Sequence, residues 1–322
     1  MADANGKENS SKDICVSEVG LRDGLQSIQP IMGLEAKKAW ITAEAEAGVR
    51  EIEVGSFVSY KLLPQMADTA ALIAHAKQIA KHIKGLTVAV LVPNLYGAKL
   101  AIEAGADKIG LPLSVSEEHS RRNVNRTHAQ MLDEIRQIAE CLADQPQATR
   151  PEFDIGLATA FGCNISGAIE ESLLVRLAES CIEAGADTLC LSDTTGSADP
   201  QTVRDRVRAV QAAVGTAPLN ALHLHNTRGL GLANVIVGLE EGIRIFDSSL
   251  GGLGGCPTAP GASGNIVTED LVFMLNAMGL ATGIDIDKVL AVRAIVAQAL
   301  PDEPLYGFVP EAGVPKSYQA QP

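Results

Sequence analysis

Three helical stretches of this chain end in the same phrase. Glu46-Ala47-Gly48, Glu103-Ala104-Gly105-Ala106-Asp107 and Glu183-Ala184-Gly185-Ala186-Asp187 each close an Ala-rich segment on glycine, and a strand-like run follows each time. Glycine enters the left-handed conformation that ends a helix without the steric cost a side chain brings. The repeated unit is therefore helix, glycine, strand. Strand-like runs fall at 14–19, 51–54, 86–91, 108–113, 152–157, 188–191, 221–225 and 244–248, eight in all. Helical stretches at 34–47, 65–81, 95–104, 127–143, 169–184, 200–214, 231–241 and 267–278 fill the gaps, and a further helix runs over 286–300. Eight parallel strands with intervening helices fit a closed (β/α)8 TIM barrel better than an open sheet. The 322 residues suggest two domains by simple division, but an α/β barrel commonly uses this length as one. We read 1–13 as a disordered N-terminal tail, 14–300 as the barrel with its added C-terminal helix, and 301–322 as an irregular, exposed tail.

Composition narrows the functional classes. The net charge of −13, with no long basic run, argues against nucleic acid as a partner. No apolar run reaches transmembrane length, which argues against a membrane. The six cysteines, at 15, 141, 163, 181, 190 and 256, show no paired spacing, which argues against disulfides and structural zinc. Residues 1–13 are polar and lack the apolar core of a signal peptide, so a cytoplasmic protein is the expectation.

A barrel places its active site at the C-terminal ends of its strands. The first strand runs into Arg22-Asp23, a carboxylate suited to a hard cation beside a guanidinium suited to an oxyanion. A structural Arg–Asp clamp is the plainer reading of that pair alone. Glu53 lies between Ile52 and Val54, so it points into the barrel, where Arg22 is its natural partner. Asp193 ends strand six at the catalytic mouth, and reads equally as a site residue and as a turn or helix-capping aspartate. His223 and His225 stand two apart on strand seven, which puts both imidazoles on one face. The loop after strand eight is glycine-rich, carries Cys256, and re-enters a helix at Asn265, a metal donor or an N-cap. Asp23, His223, His225 and Asn265 come from neighbouring strand ends of a closed barrel and can converge. Their nitrogen and oxygen donors favour Mg2+ or Mn2+, with Zn2+ or Co2+ possible. Nothing matches a nucleotide-binding glycine loop. Arg121, Arg122 and Arg126, after strand four, read as a solvated basic loop or as an anchor for a phosphorylated ligand.

Several segments together carry a resemblance. Glu18-Val19-Gly20-Leu21-Arg22-Asp23-Gly24-Leu25-Gln26, Gly55-Ser56-Phe57-Val58-Ser59, Pro64-Gln65-Met66-Ala67-Asp68, His223-Leu224-His225-Asn226-Thr227-Arg228-Gly229 and the loop from Gly252 through Cys256-Pro257 to Asn265 resemble the 3-hydroxy-3-methylglutaryl-CoA lyases. These are metal-dependent TIM-barrel lyases, related to isopropylmalate and homocitrate synthases. The resemblance runs in order from about residue 14 to 299, and the cysteine loop is its most specific part. It implies Arg22 as catalytic arginine, Asp23, His223, His225 and Asn265 as metal ligands, and Cys256 as catalytic cysteine. It also places the family's inward Glu on Glu53 and its strand-six Asp on Asp193. The implied reaction is retro-Claisen cleavage of 3-hydroxy-3-methylglutaryl-CoA to acetyl-CoA and acetoacetate, as in leucine degradation. Asp23 or His223 would be the base, and the implied partners are an acyl-CoA substrate and a second subunit in a homodimer. Leu21, Ser27-Ile28, Thr258 and Pro260 depart from the family's usual residues. They keep open a related substrate such as citramalyl-CoA or another branched analogue. A Claisen-type synthase is the more distant alternative.

Overall fold

The computed structural model describes residues 14–254 and 264–318. Its strands follow the order of the chain: β1 (Cys15–Glu18), β2 (Glu51–Ser56), β3 (Thr87–Leu91), β4 (Lys108–Ser114), β5 (Glu152–Ala158), β6 (Thr188–Ser192), β7 (Leu219–His223) and β8 (Ile245–Ser248). All neighbours pair in parallel and β8 returns to β1, closing the barrel that the repeated phrase implied. Ile109, Leu111 and Leu113 on β4, and Phe153, Ile155 and Leu157 on β5, point outward and are buried in one hydrophobic core. The residues between them face the barrel interior, because successive side chains of a strand alternate sides.

Helices α1 (Leu34–Ala47), α2 (Thr69–Ala80), α3 (Leu95–Ala104), α4 (Glu117–Val124), α5 (His128–Ala143), α6 (Glu171–Glu183), α7 (Pro200–Val214), α8 (Gly231–Glu240) and α9 (Thr268–Ala277) connect or cover the strands. Gly48 and Gly105 close α1 and α3 at φ of 110° and 83°, in the left-handed region the sequence required. α10 (Ile286–Ala299) packs on α1. Among the described residues, no helix is long and apolar enough to cross a membrane.

Four local expectations are corrected. The helix expected over 65–81 is divided into a 3-10 turn, Pro64–Met66, and α2. The Thr69 hydroxyl lies 3.0 Å from the Ser56 carbonyl oxygen and 2.9 Å from that of Met66, anchoring the break to β2. The basic stretch after β4 is a loop only at Arg126, because Arg121 and Arg122 lie on α4, started by Ser116, whose hydroxyl accepts from the His119 N–H. β7 ends at His223, two residues earlier than expected, because the chain then pairs with 264–266 instead of with β8. The segment after 300 is not irregular throughout. It forms α11 (Phe308–Ala312), where Asp270 accepts from the backbone N–H groups of Phe308 and Val309. Arg293 holds the carbonyls of Leu305 and Tyr306 just before it. Residues 1–13 and 319–322 lie outside the described residues.

Candidate metal centre

The polypeptide leaves β1 through a tight turn, Gly20–Gly24, in which the Asp23 N–H donates to the Val19 carbonyl at 2.7 Å. Glu18, fully buried, holds this turn. Its Oε1 accepts from Gly20 N at 2.8 Å and from Leu250 N at 3.0 Å, and its Oε2 accepts from the Thr268 hydroxyl at 2.6 Å. The approach is so close that a Cβ at position 20 would fall 2.5 Å from Glu18 Oε1, so glycine is required there. One carboxylate thus ties the Arg22-Asp23 turn to the strand-eight loop and to α9. Burial pushes the Glu18 carboxyl up to about 7.

Beyond this turn four expected donors meet. Asp23 Oδ2 lies 3.9 Å from Nε2 of His223 and 3.9 Å from Nε2 of His225, and the two Nε2 atoms are 3.1 Å apart. Asn265 Nδ2 donates to Asp23 Oδ2 at 2.8 Å and to the Leu253 carbonyl at 3.1 Å. That leaves Asn265 Oδ1 buried with no partner. Asn265 reaches this position through a short antiparallel pairing, in which His225 bridges Asn265, Ile266 N donates to Leu224 O, and Asn226 N donates to Gly264 O. The N-cap alternative for Asn265 falls, since the cap of α9 is Val267. His225 lies past the end of β7, so pairing with 264–266, not strand alternation, places it beside His223.

The electrostatics suit a cation. His223 Nδ1 is 3.0 Å from Asp247 Oδ2, a contact that places the proton on Nδ1 and the lone pair on Nε2. Burial, then repulsion from His223, lowers His225 to about 4, so its imidazole is neutral. Its Nδ1 is buried without a partner. The two rings face each other through Nε2, and that contact needs a proton or a cation between them. For Asp23, burial acts upward, but Arg22, the two imidazoles and Asn265 outweigh it and hold the carboxyl well below the usual range. Asp23, His223 and His225 offer donor atoms within 4.8 Å of one another, and the orphaned Asn265 amide oxygen adds a fourth. Two imidazoles, a carboxylate and an amide oxygen, with no thiolate, fit a divalent ion of the nitrogen- and oxygen-binding class.

Arg22 sits between two acids, with Nε 2.5 Å from Glu53 Oε2 and Nη1 2.5 Å from Asp23 Oδ1. Glu53 is thus the brace that its position in β2 suggested. Asp193 serves its own turn, accepting from Ser197 N at 2.8 Å and Ala198 N at 3.1 Å. Cys256, Thr258 and Pro260 lie outside the described residues. Arg121 bonds back to Glu117 on its own helix. Two contributors were missed, Asp247 and Glu18. Asp247 had a usable signal: like Glu53, it is an acid beside apolar strand neighbours, Ile245-Phe246. Glu18 carried no such mark, since two of its three partners, the Leu250 N–H and the Thr268 hydroxyl, lie more than 200 residues away in the chain.

The same arrangement of elements recurs in known proteins. Hydroxymethylglutaryl-CoA lyase YngG of Bacillus subtilis is 39% identical over 282 residues, covering 87% of this chain and 91% of that protein. The human mitochondrial hydroxymethylglutaryl-CoA lyase is 36% identical over 289 residues, 90% of this chain and 86% of its own. The solved structure of an HMG-CoA lyase from Acinetobacter baumannii, in complex with coenzyme A and 3-methylmalate, superposes with a TM-score of 0.86 at 38% identity. It covers 98% of this chain and 100% of the other. The HMGL-like family itself matches over residues 13–296, a span that takes in every barrel strand and all four candidate donors, and the chain belongs to that family.

Proposed function

We propose that this chain is a carbon–carbon lyase that cleaves 3-hydroxy-3-methylglutaryl-CoA to acetyl-CoA and acetoacetate, with Mg2+ or Mn2+ as its cofactor. The observation that carries the reading is the meeting of Asp23, His223, His225 and Asn265 at the barrel mouth beside Arg22. These four residues would hold the ion. A bound divalent cation polarises the substrate's tertiary hydroxyl and lowers its pKa.

The chain's own groups do the rest. Asp23 and His223 are the candidate bases. Asp23 is held ionised by Arg22 and the imidazoles. His223 keeps its Nδ1 proton toward Asp247 and would give its Nε2 lone pair to the ion, so it takes the hydroxyl proton only if Nε2 leaves the ion. Breaking the C2–C3 bond leaves negative charge on the thioester oxygen of the departing acetyl-CoA enolate. Arg22 keeps its proton at any working pH and offers it hydrogen bonds. Glu53 fixes the guanidinium in place. The enolate carbon then takes a proton, which we assign to the Cys256 thiol or a relay through it. Purified protein stripped of metal and then supplied with Mg2+ or Mn2+ should release acetoacetate from 3-hydroxy-3-methylglutaryl-CoA. Absence of cleavage with either ion would refute the reading. Cys256→Ser should leave metal content unchanged and slow turnover severely, and near-normal turnover would remove Cys256 from the mechanism.

A further inference from the structure

Two glycines in the middle of barrel strands have no local reason to be glycine. Gly110 on β4 and Gly156 on β5 alternate with outward residues buried in the core, so both face the barrel interior. Neither has positive φ. The pairing of β4 with β3 and β5, and of β5 with β6, contains no register shift, so neither marks a bulge. Nor is there crowding. A Cβ at Gly110 would lie 3.8 Å from the Val90 carbonyl and 4.0 Å from Glu53 Oε1, and one at Gly156 would lie 3.9 Å from Ser192 Oγ. Those are ordinary contacts, and alanine would fit at either place. Glycine within a strand costs backbone entropy and packing, and one remaining reason to keep it is the close approach of a ligand.

The surroundings say where that ligand lies. Barrel interiors are ordinarily filled by bulky branched side chains. Here the inner face of β4, β5 and β6 presents Gly110, Pro112, Gly156, Ala158 and Ser192, all partly open to solvent. In the closed strand order this wall stands across the barrel from β8 and β1, which lead to Asn265 and Asp23. It joins the imidazole side where Ser192 pairs with His223. A substrate held at Asp23, the histidines and Arg22 therefore turns its far substituent toward the wall. Charge excludes a second carboxylate there. Glu53 borders Gly110, and Asp154 is the register partner of Gly110. Lys108, one inward position deeper, is already paired with Glu51 at 3.2 Å.

We infer that Gly110 and Gly156 set acyl specificity, and that the interior takes 3-hydroxyacyl-CoA thioesters whose carbinol carbon carries an uncharged branch bulkier than methyl, as well as the methyl compound. The inference rests on the lyase reading above. Cleavage breaks the same C2–C3 bond, with the hydroxyl proton lost and a proton gained at C2, giving acetyl-CoA and the 3-oxo acid that keeps the branch.

The test is kcat/KM for 3-hydroxy-3-methylglutaryl-CoA and its analogues with ethyl, butyl and isobutyl in place of the methyl group. The native enzyme should cleave all four within about tenfold of one another, since added methylenes that find room are not penalised. Gly156→Val should retain the methyl compound and lose about 100-fold on butyl and isobutyl. Gly110→Ala, which adds one carbon without a clash, should give a smaller loss in the same order and serves if the valine variant does not fold. An enzyme that cleaves the methyl compound but rejects ethyl and butyl by more than about 100-fold would overturn this inference and leave the lyase reading intact. So would a Gly156→Val variant slowed equally on every compound. Failure to cleave any of them, methyl included, would overturn the lyase reading and this inference with it.

Discussion

Arg22 is held from both sides, by Glu53 and by Asp23, and its value lies in being fixed before substrate arrives. An oxyanion donor that needs no reorganisation contributes most to the transition state. Arg22→Gln should therefore lower kcat by about 10² to 10³. A loss confined to KM in steady-state assays would place Arg22 in substrate binding instead. Asp247 acts through His223, whose Nδ1 proton it fixes. Asp247→Asn should weaken Mn2+ binding by about 10- to 100-fold in calorimetric titration. Unchanged affinity would leave Asp247 without a positioning role. At this scale the sequence was readable wherever a polar residue stood at a strand end, as Arg22, Asp23 and His223 do. Asp247 sits deeper in its strand, alongside His223 in register, and only the pairing of β7 with β8 shows the contact. Cys256 could be reached from sequence alone, by resemblance.

Between elements, the deciding contact is Glu18. Its two oxygens hold the turn after β1, the start of the strand-eight loop and the first residue of α9, so the turn that carries Asp23 and the elements on either side of Asn265 share one anchor. Glu18→Ala would strand the N–H groups of Gly20 and Leu250 in the interior. With about 1–3 kcal/mol for each unsatisfied group, the loss should reach about 3 kcal/mol in urea unfolding. Glu18→Gln keeps an acceptor for both N–H groups, and the Thr268 hydroxyl can rotate to accept instead, so it should stay within about 1 kcal/mol of the native protein. Equal losses in the two variants would count against the anchor. The barrel itself was legible because helix, glycine and strand recur with regular spacing. Less legible were elements set by distant partners. His225 and Asn265 meet through pairing beyond the end of β7, and α11 depends on Asp270, 38 residues before Phe308. Sequence periodicity carries no trace of such partners.

For the molecule as a whole, buried acids dominate the response to pH. Burial holds Glu18 and Glu53 up near about 7 and Asp154 up to about 6, above their ordinary values of 4.5, 4.5 and 3.8, and pushes Glu44 well above 4.5. The folded state keeps these protons more tightly than the unfolded chain. Their stabilising contribution is therefore complete at low pH and lost as pH rises through those values. Asp23, held low, and His225, lowered by burial to about 4, act in the opposite sense, adding stability that disappears as pH falls. Burial raises Asp193 and Glu269 as well and lowers His119, so six raised carboxyls stand against Asp23 and two lowered imidazoles. The metal-free protein should show a falling Tm from about pH 5 to about pH 8 in scanning calorimetry with chelator present. A Tm that rises steadily across that range would contradict the assignment.

The central claim is that Asp23, His223, His225 and Asn265 hold one divalent cation between them. Pulsed electron paramagnetic resonance on metal-stripped protein loaded with Mn2+ tests it most directly. The expected result is one Mn2+ per chain with coupling to two imidazole nitrogens, reduced to one in His225→Ala. A bound ion without imidazole coupling, or coupling that His225→Ala leaves unaltered, would contradict it.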